Sequence, residues 1–361
     1  MSGTIQTAIR GTHLSEKPRT IALSVIVPCF NEASTIEHCL DSILSNGFDP
    51  GKIEVLVVDG CSDDGTTEIV RVYGKRHPAV RLLVNPKRSI PCALNIGIAS
   101  AVGDAVMRLD AHSSIQPGYI AGCLEELGDR QDLMVGGRVE IKARTDSKMG
   151  RAIAEALSTR FGVGGAGYRR APTARLEPMP VDTLPYWCAS RRLLQSVMPY
   201  NEHLERSEDI EFSLRLARQG VIRLLMPQVG CTYYARSTLG ELWQHSRLNG
   251  AWAILPFAYV QNIPVRPRHL VPFAFVGALC IAALLWVASP VGYIPLLGLI
   301  ALYSAASILV ALTTAIRRRN SMLILLMPLA FAALHFGYGI GSWIGLARLI
   351  ARLRLPGRRD V

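Results

Sequence analysis

A chain of 361 residues is too long for one ordinary domain and suits a mid-sized α/β domain with a further part. Half of its residues are hydrophobic and its mean hydropathy is positive, which argues against a purely soluble protein and for a membrane part. The formal net charge of +11 suits anionic lipid, phosphorylated ligands or nucleic acid; with no zinc-finger spacing and no RNA-recognition motif, nucleic acid is set aside.

Residues 1–20 are polar without an apolar core, so they read as a flexible tail and not as a cleavable signal. Apolar runs follow at Leu23–Val27, Ile53–Val58, Val80–Val84 and Ala105–Leu109. Helical stretches separate them at about 33–46, 65–77, 89–101 and 117–128. Strands alternating with helices of this length predict a parallel sheet with right-handed crossovers. Ligands of such sheets bind beyond the carboxyl ends of the strands, where Pro28, Asp59 and Asp110 fall. From 142 to 186 the pattern loosens into a long segment over that edge, with a helix at Ala152–Phe161. Gly162–Gly167 matches G-x-G-x-x-G in form, but it follows a helix instead of a strand, so a dinucleotide fingerprint is rejected. Regular structure resumes near Cys188, and a helix is expected over Ser207–Gln219.

The α/β part is expected to span 21–250, followed by an interfacial linker at 251–269 and a membrane part at 270–346. Leu270–Ala288, Val291–Ile316 and Met322–Leu346 are apolar runs of spanning length, the first two joined by a hairpin at Ser289-Pro290. Arg317–Arg319 favours the cytoplasm, and so does the basic tail at 347–361. Three full crossings put those two basic segments on opposite sides. The third run, rich in glycine, is therefore open to a re-entrant form or to an interfacial helix from about Ile344 to Leu355. The eight cysteines are scattered without a C-x-x-C pair, as in a reduced cytosolic domain. The expected location is the inner (plasma) membrane, multi-pass, with the α/β part cytoplasmic.

Four stations carry candidate chemistry. Asp59 closes a strand and heads Val57–Thr66, where a carboxylate can accept hydrogen bonds from a base or ribose; Asp63 and Asp64 equally make a helix start. Asp110-Ala111-His112 puts two ligand types at a strand end, suited to a divalent cation that neutralises a diphosphate. Glu208-Asp209 reads either as a general base beside the crevice or as first-turn acids of a helix capped by Ser207. Gln244-His-Ser-Arg247 offers a cation for departing phosphates, or else a basic interfacial helix.

Together the stations resemble family-2 glycosyltransferases of the GT-A fold, an α/β fold with a mostly parallel, Rossmann-like central sheet. Ser24–Glu32 looks like the opening strand and nucleotide-binding turn, with Pro28, Asn31 and Glu32 in it. Val57–Thr66, Ala93–Gly97, Gly103-Asp104 and Leu109–His112 resemble the next blocks in order, and Arg88 lies where a basic nucleotide contact is expected. The likeness covers about residues 22–250 and is nearest to the succinoglycan-biosynthesis glucosyltransferase group. His112 departs from the second Asp of the family's D-x-D. The Q-x-x-R element lacks the Trp of processive synthases, which speaks against a polymer synthase.

The resemblance implies an inverting enzyme of exopolysaccharide or cell-surface glycan synthesis that moves a hexose from a UDP-sugar. Its expected acceptor is a polyprenyl-diphosphate-linked saccharide at the bilayer. Asp59, Arg88 and Arg247 would contact the donor, Asp110 and His112 would hold Mg²⁺ or Mn²⁺, Asp209 would be the base, and Glu208 and Gln244 would lie beside acceptor or leaving group. The competing readings are a polyprenyl-phosphate sugar synthase, a transporter or scaffold with a nucleotide-binding domain, and an NAD-binding oxidoreductase. The membrane runs hold few ionisable residues for a polar pathway, and the first strand has no glycine fingerprint after it.

Overall fold

A computed structural model describes residues 21–165, 177–260, 267–289 and 291–353. The anticipated flexible tail at 1–20, Pro290 of the hairpin and residues 354–361 of the basic tail lie outside the described residues.

Nine strands form one sheet, in the order β3-β2-β1-β4-β8-β6-β9-β5, with β7 beside β9. The first four are β1 (Leu23–Cys29), β2 (Ile53–Asp59), β3 (Val80–Val84) and β4 (Ala105–Arg108). All are parallel, as the alternation of apolar runs and helices predicts. The other half is mixed: β8 (Cys188–Ser190) is antiparallel to both β4 and β6 (Leu133–Ala143), while β6 runs parallel to β9 (Ile222–Ala235). The short β5 (Ser113–Ile115) and β7 (Met179–Pro180) are antiparallel to β9.

The strands read as unbroken apolar runs because both faces are covered. Side chains alternate along a strand, so Leu23, Val25, Val27, Val55 and Val57 enter one core while Ile26, Leu56, Val58 and Val106 enter the other. The first core is closed by α1 (Ile36–Leu44), α2 (Thr66–Arg76) and α4 (Tyr119–Leu127). The second is closed by α3 (Ile90–Ser100), α7 (Arg191–Val197) and α8 (Glu208–Arg218). Gly97 lets α3 settle on β1, since a Cβ there would meet the Ile26 side chain.

The helix expected at Ala152–Phe161 is two: α5 (Lys148–Ser158) and α6 (Arg160–Val163), broken at Thr159, whose hydroxyl accepts from the Gly162 amide. Gly162 is thus inside a helix, and Ala166 and Gly167 of the rejected fingerprint lie outside the described residues. The expected boundary at 250 falls within α9 (Leu239–Ile254), which opens with a capping box between Thr238 and Glu241.

Among the described residues three helices are long and apolar enough to cross a membrane: α10 (Pro267–Ala288), α11 (Tyr293–Arg318) and α12 (Met322–Leu353). Large apolar residues such as Val271, Leu284 and Leu302 are exposed along α10 and α11, as for surfaces that face lipid. The third run is one continuous helix, α12. Its glycines serve packing. A Cβ on Gly341 would overlap the Arg247 carbonyl, one on Gly345 the Ala251 carbonyl, and one on Gly250 the Tyr338 carbonyl. Small residues at a spacing of four let two helices approach closely, and here they seat α12 along α9. Ala152, Ile153 and Ala156 of α5 pack with Met327, Ala330 and Phe331 of α12, and Arg318 pairs with Glu155 at 2.8 Å. The α/β part and the apolar helices therefore share a core.

Candidate active site

The β1 and β2 ends form one polar lattice. Asp59 is 2% exposed, and its carboxylate accepts from the Ser62 amide (3.2 Å), the Ser62 hydroxyl (2.5 Å), the Thr67 hydroxyl (2.7 Å) and the Cys29 thiol (3.6 Å). A carboxylate has about four acceptor positions, so the chain itself uses those of Asp59, and this residue fixes the turn. Asp64 takes the structural of its two readings, accepting from the Ala33 amide and from the Thr66 amide and hydroxyl. Asn31 has a left-handed φ of 57° and exchanges hydrogen bonds with Asp63 in both directions. Pro28 is the next-to-last residue of β1, one position before its end, and pairs in register with Val58. Arg88 is exposed beyond β3, its guanidinium 5.5 Å above the Phe30 ring.

Glu32 faces His112. Its Oε1 is 2.8 Å from His112 Nδ1, and its Oε2 accepts from Thr35 (2.9 Å) and from Arg144 (3.4 Å). Burial alone would raise the Glu32 pKa, but the His112 hydrogen bond and the charges of His112 and Arg144 hold it below the usual range. His112 Nδ1 has Glu32 as its partner, and the Glu32 carboxylate is tied in turn to Thr35 and Arg144. Among the described residues no three His, Cys, Asp or Glu groups gather into a metal cage.

Beside them lies a buried cluster that the motifs did not disclose. Arg108 ends β4 at 5% exposure, its Nε 3.2 Å from Asp110 and its Nη2 3.4 Å from Glu208, while Nη1 has no hydrogen-bond partner. Burial works against this charge, yet Asp110 and Glu208 hold its pKa above the ordinary arginine value. One guanidinium thus bridges Asp110 and Glu208, the latter 100 residues from Arg108 in sequence. The warning was present in the sequence: an arginine inside the apolar run Ala105–Leu109 must have a buried partner.

Ser207 does not cap α8. It has a left-handed φ of 65°, and its hydroxyl donates to the Trp252 carbonyl at 3.1 Å. Such a backbone is strained for a non-glycine residue and is held only where its surroundings demand it. Here the bend starts α8 with Glu208 and Asp209 at the wall of a cavity. Burial, then the charge of Asp209, raises the Glu208 pKa; burial raises that of Asp209, with Arg108 opposing in both.

The cavity has a volume of about 770 Å³. Its polar wall holds Arg206, Glu208, Asp209, Tyr233, Arg236, His245 and Asn249, and its apolar wall holds Phe275 of α10, Tyr303 of α11, and Leu334 and Tyr338 of α12. Gln244 and Arg247 are not among its lining residues. The reason is helical geometry: α9 turns Leu242, His245, Ser246, Asn249 and Ala253 toward the cavity, one face at a 3.6-residue period, and Gln244 and Arg247 lie off that face.

Residues 24–183 match the family described as glycosyl transferase family 2. The chain carries a family-2 glycosyltransferase domain. The glycosyltransferase is 28% identical to the succinoglycan biosynthesis protein ExoA of Rhizobium meliloti, over 88% of this chain and 93% of that one. It is 24% identical, over 63% of this chain and 72% of the other, to a Methanococcus voltae protein named dolichyl N-acetyl-alpha-D-glucosaminyl phosphate 3-beta-D-2,3-diacetamido-2,3-dideoxy-beta-D-glucuronosyltransferase. Among solved structures it resembles the mannosyltransferase PcManGT of Pyrobaculum calidifontis, described in complex with GDP-Man and Mn²⁺. That likeness has a TM-score of 0.54 at 23% identity, covers 88% of this chain and 91% of the other, and is a likeness of GT-A fold.

Proposed function

We propose that this glycosyltransferase is an inverting hexosyltransferase of surface-glycan or exopolysaccharide synthesis, taking its sugar from a UDP-sugar and giving it to a polyprenyl-diphosphate-linked saccharide. The observation that carries the reading is one cavity lined both by the acids Glu208 and Asp209 and by apolar side chains of α10, α11 and α12. A water-soluble acceptor has no need of a wall built by helices of membrane-spanning length. The archaeal relative's name, a transferase acting on a dolichyl-linked sugar phosphate, agrees with such an acceptor.

In this reading the nucleotide lies across the ends of β1, β2 and β3, against the turn that Asp59 holds and beside Arg88. Asp209, held at the start of α8, takes the proton of the acceptor hydroxyl as that oxygen attacks the anomeric carbon. The bond from the anomeric carbon to phosphate oxygen breaks, UDP leaves, and one displacement inverts the configuration. A carboxylate with a raised pKa is the stronger base, which suits this task.

Asp110 fits a divalent cation: it is a hard oxygen donor at the strand edge, and only its Oδ1 is engaged, by Arg108. Mg²⁺ or Mn²⁺ bound with substrate phosphate needs only one or two protein carboxylates, and would supply charge neutralisation at the diphosphate. Arg108 pairs with both Asp110 and Glu208 from within the protein. Arg318, paired with Glu155 of α5, draws the arginine-rich turn after α11 to the catalytic side of the molecule. With basic turns favouring the cytoplasm, the catalytic domain is cytoplasmic.

The test is transfer from radiolabelled UDP-hexoses, with GDP-mannose as a comparison, to lipid-linked acceptor in membranes. Asp209→Asn should lower kcat by about 10²-fold or more while leaving donor KM unchanged. A polyprenyl-phosphate sugar synthase, whose phosphate acceptor needs no base, would retain most of its turnover in that variant. Transfer to soluble acceptors alone would sink the lipid-linked reading.

A further inference from the structure

The acceptor end of the cavity carries more positive charge than the protein itself balances. Arg206 and Arg236 both line it, and neither forms an ion pair with a carboxylate among the described residues. Arg206 donates from Nη1 to Asn249 Oδ1 at 2.7 Å and lies 3.4 Å from His245 Nδ1; Arg236 donates from Nη1 to the Tyr233 hydroxyl at 3.3 Å. These partners orient the guanidinium groups, and none of them is a carboxylate. Burial, and next the charge of Arg236, lowers the Arg206 pKa, and the charges of Glu208 and Glu205 offset this only in part, so the two cations repel each other. On the same wall, Ser246 is 2% exposed and its hydroxyl has no hydrogen-bond partner. Two cations in mutual repulsion beside an unused hydroxyl call for an anion rich in acceptor oxygens, and the planar forks of arginine suit phosphate.

Phe275, Tyr303 and Leu334, one from each long apolar helix, line the same cavity. An anion that also presents hydrocarbon fits both walls. We propose that Arg206 and Arg236, with Ser246, form the subsite for the phosphate-bearing headgroup of a polyprenyl-linked acceptor, whose first isoprenoid units lie against Phe275, Tyr303 and Leu334. The proposal rests on the reading of the chain as a transferase to lipid-linked acceptors. It separates two phosphate sites: the acceptor's is held by arginines, and the donor's diphosphate lies toward Asp110. Arg206 is three residues from Asp209, so their Cα atoms are at most about 11 Å apart, and the bound headgroup keeps the reacting hydroxyl near the base.

The experiment uses the full chain in detergent micelles, with farnesyl diphosphate, inorganic pyrophosphate and UDP as calorimetric probes. Farnesyl diphosphate should bind in the presence of EDTA, because arginines need no metal to hold phosphate, and inorganic pyrophosphate should bind at least tenfold more weakly. Arg206→Gln and Arg236→Gln should each weaken farnesyl diphosphate at least tenfold, Arg206→Lys and Arg236→Lys less so. UDP affinity with Mg²⁺ should stay within twofold in every variant, which also reports an intact fold. Loss of UDP binding in step with farnesyl diphosphate would overturn the proposal and assign the pair to the donor. Farnesyl diphosphate binding that requires metal, or that ignores both glutamine substitutions, would overturn it as well. If binding ignores the substitutions while Asp209→Asn still abolishes transfer to lipid-linked acceptor, the headgroup subsite fails and the functional reading stands.

Discussion

The two sides of the crevice are built on opposite terms. On the side proposed for the donor the acids and Asn31 are answered by neighbours, Asn85 Oδ1 and Arg144 Nε being the exceptions: Asp59 by Ser62 and Thr67, Asp64 by Ala33 and Thr66, Asn31 by Asp63, Glu32 by His112. On the acceptor side groups are left unanswered: Arg108 Nη1 and the Ser246 hydroxyl have no partner, and burial raises the pKa values of both acids at the start of α8. A satisfied lattice holds its shape before any ligand arrives. A chamber with unbalanced charge is completed by its ligand, and its electrostatics are already aimed when the substrate enters. Arg108 is the hinge of the contrast, since it touches Asp110 on one side and Glu208 on the other.

Breaking that hinge should have the largest effect. Arg108→Met leaves Asp110 and Glu208 without their shared cation, and removing one partner of a buried pair costs about 3–5 kcal/mol. Unfolding in detergent, followed by intrinsic fluorescence, would measure it; a loss below about 1 kcal/mol would mean that the two sides are not coupled through this residue.

Next in size is the donor lattice. Asp59→Ala removes the acceptor of the Ser62 and Thr67 hydrogen bonds, and a bond to a charged group contributes about 1.5–3 kcal/mol. If Asp59 acts by fixing the turn, stability falls by about that much and donor KM rises only through the loosened loop. A large rise in KM for the UDP-sugar at unchanged stability would instead make Asp59 a direct contact of the base.

These two residues show what the sequence discloses and why. The donor side consists of strand, turn and helix within short stretches, so Asp59 and its turn are legible from an apolar run followed by Asp, Ser and Gly. The parallel half of the sheet is legible for the same reason, to within a residue or two at each strand end. The mixed half is less so, because β8 and β6 pair across segments that carry no local signal of their register. The acceptor side is assembled from distant elements. Arg108 meets Glu208 only once β4 and α8 come together, and which face of α9 lines the cavity is decided by where α12 docks. Even there the sequence held a trace: Gly337, Gly341 and Gly345 recur at a spacing of four, the signature of a close helix pair. In the structure that spacing seats α12 against α9.

A pH profile sharpens the contrast more gently. Asp209 must be ionised to accept a proton, and burial raises its pKa, so the acidic limb of kcat should lie above the ordinary aspartate value of about 3.9. Turnover then falls as the pH drops through that raised pKa. Arg108 opposes the rise, so Arg108→Gln should move the limb to higher pH still. A limb at or below the ordinary value would assign the titrating base elsewhere.

The smallest effect is expected at Arg247, and it bears on how a motif is read. Gln244-x-x-Arg247 has the spacing of a leaving-group element, yet the cavity face of α9 is defined by Leu242, His245, Ser246, Asn249 and Ala253. Arg247 is half-buried, and its carbonyl lies against Gly341 of α12, so the residue sits in the seam between the two helices. Substitution of a side chain outside the chamber changes stability by about 0.5 kcal/mol or less when no network is broken. Arg247→Ala should accordingly change kcat and donor KM by less than about threefold, within that margin, while Arg206→Gln weakens the lipid acceptor. If Arg247→Ala cuts kcat as deeply as Asp209→Asn, α9 must turn a different face to the substrate during turnover. The α9–α12 seam would then be the moving part of the enzyme, and Gly341→Ala, which wedges that seam, should reproduce the loss.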